Sequence, residues 1–135
     1  MVKASVWAGA MIALLATTGC AGAGSDSSST PHEPRRCFWS RDVRNFRVAD
    51  STTVNIRVGR DVYRLDLLGS CPNLNWTGRM GLVTTGSSSI CTGSGLGTSI
   101  VSRAPTGRGQ QRCAVRSITP LSPEQVKDLP RRTRP

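Results

Sequence analysis

The sequence predicts an all-β fold: a small disulfide-stabilised barrel or sandwich of about five or six short strands, with one short C-terminal helix. Three observations carry that expectation. Two alternating segments flank a short glycine-containing turn, and further runs of β-branched and small residues recur at about ten-residue spacing between Gly, Ser and Pro clusters. Four cysteines are spread through the same region. With 4% aromatic and 37% hydrophobic residues in a chain of 135, the core is thin, and covalent cross-links are expected to supply part of the stability.

Residues 1–19 read as a signal peptide. Met1 to Lys3 holds one positive charge, Ala4 to Thr17 holds none, and Thr18, Gly19 and Cys20 are small. At 1.5 Å per residue the uncharged run reaches only about 21 Å, short of the roughly 30 Å hydrocarbon core of a bilayer. Leu15-Ala16-Thr17-Thr18-Gly19-Cys20 resembles a bacterial lipobox, with Thr17 where Leu is usual. That resemblance implies acylation of Cys20, which would become the new N-terminus. Ala21, where lipoproteins of the inner membrane often carry Asp, points to the outer membrane. Ala21-Gly22-Ala23 also offers an ordinary small-x-small cleavage site, which would release a soluble periplasmic protein.

Residues 20–36 form the lipidated cysteine and a flexible linker, AGAGSDSSSTPHEPRR, without apolar periodicity. The β domain is expected over 37–121. In TTVNIRV, Val54, Ile56 and Val58 alternate with Asn55 and Arg57, and VYRLDLL alternates likewise, so the GRD between them marks a β-hairpin. MGLVTT, SSSICT, GTSIVS and RCAVRSI supply the later strands. A short helix is predicted over 122–129: Ser122 caps, Pro123 suits the first helical position, and Gln125 completes a capping box. Pro130 ends it, and 130–135 reads as a basic disordered tail.

In an exported chain Cys37, Cys71, Cys91 and Cys113 are expected to pair, leaving Cys20 for lipid. Three connectivities exist. Cys71 with Cys91 and Cys37 with Cys113 is favoured, closing loops worth about 3 and about 4.5 kcal/mol on the chain-entropy model. Sequential pairing, Cys37 with Cys71 and Cys91 with Cys113, stays open. Zinc is not expected, since no Cys pair is closely spaced and His32, the one histidine, lies in the linker.

The chemistry-bearing motifs of enzymes are missing. CTGSGLGTS lacks the Lys-Ser or Lys-Thr of a phosphate-binding loop and the spacing of a dinucleotide fold, so it reads as a β-turn. Ser94 does not sit in a nucleophile elbow and has no base at hand. Asp42, Asp50, Asp61 and Asp66 stand beside Arg41, Arg60 and Arg64 and read as members of surface ion pairs. Phe38, Trp39, Phe46, Tyr63 and Trp76 are assigned to the core, although Arg and aromatic residues alternate in RRCFWSRDVRNFR as they do where bases or sugars stack. No cofactor and no metal is expected.

The charge is the main functional signal. Lys and Arg total 18 against 8 acids, a formal +10, and only Lys3 of the bases precedes Cys20. Such a charge suits nucleic acid, anionic lipid or acidic envelope polymers. Without a nucleic-acid-binding motif, and in an exported chain, nucleic acid is set aside. Arg131, Arg132 and Arg134 are the candidate anion contacts.

Finally, CFWSRDVRNFRV, VGRDVYRLDLLGSCPNL, ICTG and QRCAVRSITPL together resemble an uncharacterised family of small exported Gram-negative proteins and lipoproteins with four cysteines. The resemblance covers Cys37 to about Leu121. Many members carry Asp after the glycine that follows the third cysteine, where this chain has Ser94. It implies the four-cysteine frame and no activity. The expected role is therefore that of a lipid-anchored protein of the outer membrane, facing the periplasm. It would bind or support, by contact with an anionic envelope polymer or another envelope protein. A soluble periplasmic form, an inhibitor of an envelope hydrolase and an enzyme are the alternatives. Inhibition of a basic lysozyme is disfavoured by like charge.

Overall fold

The structure is a computed structural model that describes residues 34–76 and 78–135. The expected signal peptide, Cys20 and all but the last residues of the linker lie outside the described residues. Nine strands are present among the described residues: β1 (Cys37–Trp39), β2 (Val43–Asp50), β3 (Thr53–Val58), β4 (Asp61–Leu67), β5 (Met80–Thr84), β6 (Ser89–Cys91), β7 (Gly93–Ser94), β8 (Thr98–Arg103) and β9 (Gln110–Leu121). Helix α1 (Pro123–Asp128) follows. The all-β class is as predicted; the strand count is higher than expected because β2, β1 and the two-residue β7 lack strong alternation of their own.

The predicted hairpin is β3 and β4. Val58 faces Asp61 across a two-residue turn, and Gly59 takes a φ of +58°, the left-handed value that such a turn asks of its first central residue. Alternation then sets Ile56 opposite Tyr63 and Val54 opposite Leu65, all buried on the core face. β4 pairs in turn with β9, where Leu65 meets Ile118, and a register irregularity at Asp66/Leu67 brings Leu67 opposite Val115.

β9 organises the rest. Its second half carries β4 along one edge, while β8 and then β7 pair along the other. The main sheet therefore runs β2-β3-β4-β9-β8-β5, with β7 off that path, and curls into a half-barrel around the apolar side chains of its concave face. β1 and β6 form a separate two-stranded sheet, in which Phe38 faces Ile90 and both are buried in the same core. Phe38 also lies against Tyr63, with ring centroids 4.8 Å apart.

Two expectations are corrected. The disulfides join Cys37 to Cys91 and Cys71 to Cys113, an interleaved pairing that differs from the favoured nested one and from the sequential one. The reason is the separate small sheet: β1 pairs with β6 and sets Cys37 directly opposite Cys91. Cys71, in the loop after β4, is then left beside β9, where Cys113 lies.

The second correction concerns 130–135, which forms a docked strap. Arg131–Thr133 makes a 3-10 turn, and Thr133 and Pro135 are buried. The side-chain amide of Asn55 donates to the carbonyl of Thr133 at 2.9 Å, and Arg57 donates through Nε and Nη2 to a main-chain oxygen of Pro135 at 2.9 and 2.6 Å. Asn55 and Arg57 alternate with the core residues of β3, so this strap covers the outer face of the hairpin. Asn55 is fully buried as a result. Helix α1 has the predicted capping box, with Gln125 N–H donating to Ser122 Oγ at 3.3 Å and Ser122 N–H to Gln125 Oε1 at 2.7 Å.

Candidate functional site

The convex face of β5, β8 and β9 gathers three arginines that are far apart in sequence. Antiparallel register aligns Gly81, Val101 and Arg112 across the three strands, with Val83, Ser99 and Ala114 in the next row on that face. Arg103 faces Gln110, and because Met80 pairs with Ser102, Arg79 arrives level with Arg103. Neighbouring strands are about 4.8 Å apart and same-face residues along a strand about 6.7 Å. The three guanidinium groups thus project from one small area.

That area is a shallow depression floored by backbone at Gly81 and by the half-buried Val101, with Val83 37% exposed beside it. Gly107 and Gly109, both with positive φ, turn the β8–β9 connection along its rim. Arg79, Arg103 and Arg112 are exposed. Among the described residues, none of their guanidinium groups has a hydrogen-bond or ion-pair partner, and no carboxylate lines the depression. Opposing charge would have collapsed such a cluster into internal pairs; here the positive potential is left facing outward.

A second basic groove lies where the hairpin turn meets α1. It is lined by Arg36, Arg60 and Lys127, but Asp61 shares it and Arg57 is already bonded to Pro135. Tyr63, near this end of the sheet, has its hydroxyl pKa raised above 10.0, chiefly by burial and then by the charge of Asp61, against the opposite pull of Arg36.

The predicted contacts behave differently. Arg131 and Arg132 are exposed on the strap, whereas Arg134 turns inward: its Nη2 donates to the carbonyls of Leu129, at 2.7 Å, and Lys127. Arg134 thus satisfies the open end of α1 and is not available as a third free cation. Cys20 lies outside the described residues, and the four other cysteines are all in disulfides.

The glycine-rich CTGSGLGTS becomes β7 and a turn. Gly93 and Gly97 have positive φ, and Gly95 packs its backbone against Val115. The Asp residues also depart from the expected ion pairs. Asp50 accepts from both the N–H and the hydroxyl of Thr52 at 2.8 Å, which lowers its pKa, and Asp66 accepts from Ser117 Oγ at 3.0 Å. Among the aromatics, Phe38 and Tyr63 are core residues, while Trp39 is 44% exposed with the guanidinium carbon of Arg41 5.1 Å from its ring centroid. Among the described residues no group of His, Cys, Asp and Glu has the arrangement to hold a metal.

A model for a family of unknown function, DUF6491, matches residues 2–135. The chain belongs to that family. The DUF6491 match is longer than the span from Cys37 to about Leu121 on which the resemblance was built, and it takes in both the strap and the segment around Cys20. No curated protein and no solved structure is similar to this DUF6491 chain.

Sequence reasoning missed Arg79, Arg103 and Arg112 as a group. The available signal was the alternation in RMGLVT, SIVSR and QRCAVR, which puts Arg79 with Gly81 and Val83, Val101 with Arg103, and Arg112 with Ala114. What was lacking was the register that lays these three faces side by side.

Proposed function

We propose that the protein is a lipid-anchored component of the cell envelope, tethered through Cys20, whose β domain binds an anionic envelope polymer without catalysing a reaction on it. The observation that carries the reading is the unpartnered, carboxylate-free set of Arg79, Arg103 and Arg112 on one face of the sheet. Lys3 of the 18 bases, and Asp26 and Glu33 of the 8 acids, lie outside the described residues, so the described part carries 17 bases against 6 acids, a formal +11. The pairing of four cysteines supports the anchor, since it leaves Cys20 without a thiol to join.

The test has two parts. Mass spectrometry of the protein isolated from membranes should find an acylated Cys20 at the N-terminus, and cleavage after Ala23 without lipid would defeat the anchor. The detergent-solubilised protein should bind isolated cell-wall polymer or lipopolysaccharide at low salt and release it as salt rises past the range where the Debye length falls below about 10 Å. Absence of binding at low salt would defeat the polymer reading.

A further inference from the structure

We infer that the depression on the convex face of β5, β8 and β9 is a binding site for the phosphorylated sugar headgroup of a glycolipid, with Arg79, Arg103 and Arg112 holding the phosphates and the Gly81–Val101 floor taking the sugar ring. The inference rests on the binding role proposed above and adds the site and the ligand chemistry to it.

Three features of the face select this ligand. Its cations are all arginines, whose planar forks donate two parallel hydrogen bonds to a phosphate and are less strongly hydrated than an ammonium group. Arg103 and Arg112 stand on the adjacent strands β8 and β9, with Arg112 two residues further along, and Arg79, the residue before β5, comes level with Arg103 on the other side of β8. That layout suits one phosphate between the level pair and a second anionic group at Arg112. Between them the surface is low and weakly apolar. Gly81 contributes no side chain, and Val101 and Val83 present methyl groups, a floor that can meet the C–H face of a sugar ring.

Gly81 is on this face for want of a side chain, since its backbone does not need glycine. Its φ is not positive, and a Cβ built on it would meet nothing closer than the Val101 carbonyl oxygen at 4.0 Å. A side chain there would enter the depression and leave the strand undisturbed. Gly81→Glu would set a carboxylate among the three guanidinium groups, and Gly81→Gln would fill the same space without charge.

The full-length protein in neutral detergent is titrated with lipopolysaccharide, with the same material after phosphatase treatment, and with anionic phospholipid vesicles. Wild type should prefer the intact lipopolysaccharide. Arg103→Ala with Arg112→Ala, and separately Gly81→Glu, should each weaken it by about tenfold or more, the scale of losing charge-assisted hydrogen bonds, with unchanged circular dichroism. Gly81→Gln should weaken it less than Gly81→Glu, and Arg131→Ala with Arg132→Ala should leave it within about twofold. If wild type binds but the Arg103/Arg112 and Gly81→Glu variants bind equally well, the site is wrong while the binding role stands. Equal binding of dephosphorylated material, or of vesicles, overturns the phosphorylated-sugar assignment. If wild type binds none of the three but binds isolated cell-wall polymer, the glycolipid assignment falls while the binding role stands; if it binds neither, the binding role itself falls.

Discussion

Gly95 has no room for a side chain. A Cβ placed there would sit 2.5 Å from Val115 Cγ1 and 2.8 Å from the Val115 carbonyl oxygen, because β7 and its turn lie directly on β9. Gly95→Ala should therefore destabilise the fold by about 1–3 kcal/mol, the usual cost of forcing a methyl group into a packed site, read as a shift of the urea midpoint. Asp50 makes a different prediction. The hydroxyl and the N–H of Thr52 hold its carboxyl below the ordinary 3.8, so its contribution to stability is present above that value and is lost as pH falls through the lower folded-state pKa. Asp50→Asn should be less stable than wild type near neutrality and show a flatter loss of stability as pH falls below about 4, measured by urea denaturation across acid pH. Both residues were visible in the sequence, but only as a glycine in a turn and an acid near arginines. Their roles depend on which atoms the turns bring close.

At the level of elements, the strap is the main gain over the sequence. Arg131, Arg132 and Arg134 in a proline-flanked hexapeptide look like solvated charge, and composition alone supports that reading. The backbone of the strap reverses it, since the main-chain oxygens of Thr133 and Pro135 supply acceptors to Asn55 and Arg57, which would otherwise face water. Removal of residues 130–135 should destabilise the domain by about 1–3 kcal/mol through the lost hydrogen bonds and uncovered surface, and should raise amide exchange in β3, measured by hydrogen–deuterium exchange. A truncated chain with wild-type stability and exchange would show the strap to be dispensable. By contrast, the β3–β4 hairpin and α1 were legible from local residues, the turn proving one residue shorter than GRD because Asp61 already pairs with Val58, and the helix running Pro123–Asp128. Each is specified by residues a few positions apart: Gly59 between two alternating runs, and Ser122, Pro123 and Gln125 at capping spacing.

At the scale of the whole molecule, two disulfides hold parts that are distant in sequence, with separations of 54 and 42 residues. On the chain-entropy model each closes a loop worth about 4 kcal/mol. Non-reducing digestion should yield the Cys37–Cys91 and Cys71–Cys113 peptides, and Cys71→Ser with Cys113→Ser should cost about 2–5 kcal/mol of stability. Recovery of Cys71–Cys91 would contradict the path of β1. The basic face belongs to this scale as well. It exists only because β9 carries β8 beside it and β8 carries β5, so that Arg112 of β9, Arg103 of β8 and Arg79 at the entry to β5 share one surface.

The sequence by itself determined the all-β class, the hairpin, the capped helix, the even set of four cysteines and the excess of arginine, because each follows from local periodicity, turn chemistry or composition. Only the tertiary structure decided which cysteines pair, whether the terminal arginines are free, and which arginines stand together. Those depend on the register of strands separated by tens of residues. A one-residue slip of β8 against β9 would move Arg103 to the core face and Ile100 to the surface while Arg112 stayed where it is, and the long-range packing of Ile100, Val115 and Ile118 is what forbids it.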